Sequence, residues 1–156
     1  MRPNANKSKL HLSLMCALLL AATTLPGMIA HAQQTSGSSS ALVVVVNRDS
    51  SIQTISPSQA RRLFLGKSIK LPNGLRAKLA TLEPLQTQFN QQALKRSDAQ
   101  VDAAWSRLKF SGRAREPKAF ASAEALIQFI ASSPNAIGYV SAADLTDQVR
   151  EVLLVR

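Results

Sequence analysis

The side chains that most often carry catalysis or hold a metal fall only near the N-terminus, at His11, Cys16 and His31. From residue 33 onward there is no imidazole to act as a base or ligand. Nor is there a thiol for nucleophilic attack, a disulfide or a Cys-based metal site. A Ser/His/Asp triad is excluded there, and Glu83, Glu116 and Glu124 fall in separate elements with no spacing that argues for acid/base work. Neither Gly-x-x-x-x-Gly-Lys nor Gly-x-Gly-x-x-Gly occurs, and no aromatic platform for nucleic acid is present. No catalytic residue, metal or cofactor is expected; the chemistry left is binding. The turn Glu83-Pro84-Leu85-Gln86-Thr87 leads into a predicted helix start, whose free N–H groups and partial positive charge suit an anion. Arg113 and Arg115 place two guanidinium groups on one loop, a pattern that serves either a solvated turn or an anion contact.

The elements that must position these residues follow from the hydrophobic pattern. Residues 42–46 form an unbroken apolar, β-branched run, as in a strand covered on both faces. Ser56, Pro57 and Gln59 supply an N-cap, a first helical position and a capping box. Ala60, Leu63 and Phe64 then make a buried face, and Gly66 stops the helix. Lys67 suits either a surface charge complementing the helix dipole or a ligand contact. Pro72-Asn73-Gly74 is a turn, and residues 76–82 alternate basic or polar with apolar as a half-exposed strand does.

Leu85, Phe89 and Ala93 recur at four-residue spacing on a second helix. Ser97 and Gln100 open a third, whose face carries Val101, Ala104, Trp105 and Leu108, with Trp105 read as a core anchor and not a stacking ring. After Ser111-Gly112 and the basic loop 113–117, Ser122 caps a helix through Leu126, Phe129 and Ile130. A strand at 136–140, one helical turn at 142–145 and a strand at 149–155 finish the chain. The order predicts a small α/β domain over 41–156 with a mainly parallel sheet flanked by helices.

Arg2, Lys7 and Lys9 form a positive n-region before an apolar run at 10–25, and Ala30-His31-Ala32 offers small residues at a cleavage site. The run is interrupted by Thr23, Thr24, Pro26 and Gly27 and is shorter than the ~20 residues a bilayer needs, which predicts a cleavable signal peptide and no stable anchor. Cys16 follows Met15, whereas a lipidated cysteine needs a small residue before it, so lipid anchoring is not expected. Cleavage after Ala32 would leave a Gln/Ser/Gly/Thr leader at 33–40 and 156 − 32 = 124 residues, enough for one domain. Basic residues would fall from 19 to 16 against 9 acidic ones, a charge of +7. Such a charge would suggest nucleic acid in a cytoplasmic protein, and the expected export argues against that partner; outside the cytoplasm the charge serves either solubility or a general attraction for anions.

Leu63-Phe64-Leu65-Gly66-Lys67 and Pro134-Asn135-Ala136-Ile137-Gly138-Tyr139-Val140 bracket this unit. Together they resemble the ligand-binding proteins of phosphate ABC transporters, type 2 periplasmic binding proteins with a Phe/Tyr-Leu-Gly-Lys turn and a Pro-Gly-Ala-Ile-Gly-Tyr-Val strand in corresponding places. The resemblance covers roughly residues 41–140, one lobe and its hinge strand. It implies a periplasmic, non-enzymatic protein binding a small phosphate-like anion, with a second copy or another protein supplying the opposite wall. In that family an Arg and then Ser-Gly-Thr hold the anion. Aligned on Phe89, the Ser-Gly-Thr places here are Leu85, Gln86 and Thr87, and the Arg falls on Ala80 or Thr81. Only Thr87 is kept, and each lost charged hydrogen bond costs about 1.5–3 kcal/mol.

Two functions are therefore expected. In the first, Gln86, Thr87 and Arg113 contact a small anion. In the second, the module has lost its ligand and docks on an envelope protein such as a sensor or transporter.

Overall fold

The computed structural model describes residues 41–156; the expected signal peptide, its cleavage site and the leader at 33–40 lie outside the described residues. Along the chain, β1 (Leu42–Asn47), α1 (Pro57–Phe64), β2 (Lys78–Leu82) and α2 (Gln86–Phe89) are followed by α3 (Asp98–Phe110) and β3 (Lys118–Phe120). Then come α4 (Ala123–Ala131), β4 (Ala136–Ser141) and β5 (Val149–Val155). One sheet takes all five strands in the order β3-β2-β4-β1-β5. β2 runs parallel to β3 and β4, whereas β1 is antiparallel to both β4 and β5. Four strands therefore share one direction and β1 alone opposes them, which is the mainly parallel α/β architecture expected.

The apolar run of β1 is buried along its whole length because neighbouring strands flank both its edges and side chains cover both its faces. β4 is buried likewise, with Gly138 opposite Val45. A Cβ at Gly138 would stand 3.0 Å from Ile130 Cδ1 and 3.2 Å from Ala80, so the missing side chain lets α4 and β2 close on the strand. β3, only three residues long, was not expected; the Pro117 before it and the brevity of the run hide it among loop residues.

Helix ends follow the capping logic. Ser56 and Ser97 each form a full capping box, with Gln59 and Gln100 respectively, and Ser122 accepts from the Ala125 amide. At the end of α1, Gly66 adopts φ +66°, its amide donates to Leu63 O and that of Lys67 to Arg62 O, a Schellman motif. α3 closes the same way: Gly112 at φ +65°, Gly112 N–H to Lys109 O, Arg113 N–H to Leu108 O. The helix expected around Leu85, Phe89 and Ala93 exists but is irregular. A 3₁₀ turn at Glu83–Leu85 precedes α2, and a π turn at Asn90–Leu94 ends it at left-handed Lys95.

The core joins these elements through aromatic rings. Phe89 stacks on Tyr139 with centroids 3.8 Å apart, and Phe64 meets both edge-on. The buried Tyr139 hydroxyl donates to Leu82 O at 3.4 Å, and burial pushes its pKa well above the ordinary 10.0. Trp105 is the core anchor expected: it is 6 % exposed, and its indole N–H donates to Phe64 O at 3.0 Å, closing a carbonyl at the end of α1. No helix of the described residues is long and apolar enough to cross a membrane.

Candidate functional site

The chain leaves the sheet at Leu82 and turns directly into the 3₁₀ segment that Pro84 starts. Helical hydrogen bonding thus begins before Gln86, whose amide already donates to Glu83 O. The Gln86 amide is thus spent inside the turn.

Side chains here already hold a negative charge from within the protein. Thr87 Oγ1 donates to Asp98 Oδ2 at 2.6 Å, and Asn90 Nδ2 to Asp98 Oδ1 at 2.8 Å. The capping box at Ser97 sets Asp98 at the first position of α3, where a carboxylate also complements the helix dipole. The Thr87 hydrogen bond, then that of Asn90, holds the Asp98 carboxyl below its ordinary 3.8. Its partner Asn90 is buried, and the Thr87 hydroxyl and the Asn90 amide both donate to it.

Beside Asp98 lies a cavity of about 170 Å³. Phe64, Phe89 and Trp105 give it apolar walls, and Thr81, Gln86, Asp102 and Glu116 supply polar groups. No Arg or Lys is among the described residues that line it. Thr81, at one of the two places where the resemblance expects an Arg, thus brings a hydroxyl and no charge.

The three residues singled out from sequence are placed differently. Gln86 lines this cavity, Thr87 faces Asp98, and Arg113 is exposed on the turn after α3, outside the cavity's lining. Asp98 and Asn90 were missed. The capping box marked Ser97 and Gln100, but no periodicity links Asp98 to a threonine eleven residues upstream.

Comparison with protein-family profiles and with curated proteins finds no match. Solved structures do match. A possible phosphate binding protein from Planctomyces limnophilus superposes with a TM-score of 0.52 at 13% identity, over 72% of this chain and 40% of that one. PstS from Borrelia burgdorferi gives 0.52 at 12% identity, over 72% of this chain and 46% of that one. Over most of its length the chain shares the fold of part of these phosphate-transporter binding proteins. An ABC-type phosphate transport receptor from Vibrio cholerae also matches, with a TM-score of 0.48 at 13% identity over 72% of this chain and 45% of the receptor. The chain spans less than half the length of these binding proteins.

Proposed function

We propose that this protein is an exported, periplasmic and non-enzymatic binding-protein-like module that acts by docking on an envelope partner, such as a sensor's extracytoplasmic domain or a transporter. One observation carries the loss of phosphate binding: the Asp98 carboxylate sits on the hydroxyl of Thr87 and the amide of Asn90. An incoming phosphate would have to displace an anion that the chain itself supplies, and would meet Asp102 in the adjoining cavity, whose lining has no Arg or Lys. Calorimetric titration with phosphate and sulfate at low salt tests this reading, with no heat expected for either. Saturable binding of phosphate that Thr87→Ala removes would overturn it.

A second reading keeps a small anion at Gln86, Thr87 and Arg113, and the fold shared with phosphate-binding proteins favours it. It requires Asp98 to give way. Saturable binding of phosphate by the wild-type protein, strengthened in Asp98→Asn, is expected here, whereas the first reading expects no binding until Asp98 is replaced, so the wild-type titration separates the two.

A further inference from the structure

We propose that a groove distinct from the Gln86–Thr87 turn is a site for a small organic anion with a flat apolar body, such as an aromatic phosphate, carboxylate or sulfonate. It lies where the start of β2, the loop 111–117 and α4 meet, encloses about 480 Å³, and shares only Trp105 and Glu116 with the smaller cavity. That volume falls within the range of sites for drug-sized ligands.

The sheet explains why the groove is basic. β3 joins β2 only from Ala80 onward; before that the short segment at Ile69–Lys70 bonds residues 76–77, which leaves a gap between the two at Lys78 and Leu79. Arg76, Lys78 and Ala80 alternate onto one face, and the pairing of Ala80 with Lys118 puts a third basic residue on that face. Arg115 adds a fourth basic residue from the loop. None of the four makes an ion pair among the described residues, and the one carboxylate in the lining, Glu116, is taken by Lys109 at 2.8 Å.

The rest of the lining calls for more than a bare ion. Trp105, Phe129, Leu79 and Ile69 give it apolar surface, and Ile69 is 41 % exposed. Lys118 Nζ stands 5.0 Å from the Phe120 ring centroid and 5.1 Å from that of Phe129, so a charged end and an aromatic surface are held side by side. Inorganic phosphate would satisfy the cations and leave the rings uncovered, whereas a neutral ring would do the reverse.

Titration calorimetry of the full protein with 2-naphthyl phosphate, 2-naphthol and inorganic phosphate tests this. 2-Naphthyl phosphate should bind saturably, and the other two should each bind about tenfold more weakly or worse. A Lys78→Ala/Arg115→Ala double variant should lose about tenfold or more in affinity for it, while Thr87→Ala leaves it unchanged. Absence of saturable binding, equal binding of inorganic phosphate or 2-naphthol, or an undiminished affinity in the double variant would each overturn the proposal. Should the double variant fold poorly, Arg115→Gln, in the loop outside the strands, carries the same expectation. The unchanged response of Thr87→Ala keeps this result separate from the fate of the Gln86–Thr87 turn.

Discussion

Asp98 gives the turn after β2 its chemical character. Both of its oxygens accept from side chains, and those bonds lower its pKa. A carboxyl with a folded pKa below its unfolded value contributes stability that is present above the unfolded value and lost as pH falls through the folded one. Thermal unfolding followed from pH 6 downward should therefore show a loss of stability in the acid range, smaller in Asp98→Asn than in the wild type; parallel curves would show that Asp98 has no such part. Little of this was legible in the sequence. Thr87 could be singled out by resemblance, but hydrogen-bond partners on different elements leave no periodic trace, and Asp98 read only as the residue after a cap. Arg76 and Lys78 did alternate visibly along a strand, yet alternation tells which face a residue shares and not whether another strand covers it.

At the scale of elements, the junction of α1 with α3 is the tightest constraint. A Cβ at Gly66 would collide with Leu108 Cδ1 and stand 3.2 Å from the Trp105 ring, in a backbone conformation that already disfavours a side chain. Gly66→Ala should cost about 1–3 kcal/mol from the backbone alone, with the clash adding to it. Denaturant unfolding measures the change, and Gly112→Ala, which meets nothing within 4 Å, should cost less because only the φ penalty remains. Helix starts and stops were legible because serine caps, Gly66 and Gly112 act through local hydrogen bonds. The direction of β1 was not, since five apolar residues state that both faces are covered and say nothing of which way the neighbours run. The π turn at Asn90–Leu94 was equally hidden, because Leu85, Phe89 and Ala93 fit regular helical spacing.

For the whole molecule, the fold matches less than half of each binding protein compared, and the predicted export signal would set where it works. Mass spectrometry of the protein recovered from the periplasm should show a chain beginning at Gln33; an intact Met1 start there would remove the cleavage proposed after Ala32. Part of the chain's excess of basic residues has an address in the structure. Arg76, Lys78, Arg115 and Lys118 line one groove, whereas the cavity beside Gln86 has acidic groups.

The place of β1 bears on how such a chain can be made. Among the described residues it is the first strand synthesised, and both strands that flank it, β4 and β5, come from residues beyond 135. Its ladder bonds close loops of about a hundred residues, so no local hairpin can hold it while the remainder emerges. While the chain is being made, residues 42–47 therefore lack both of their sheet neighbours until residues beyond 135 have emerged, so the centre of the sheet is among the last parts to form.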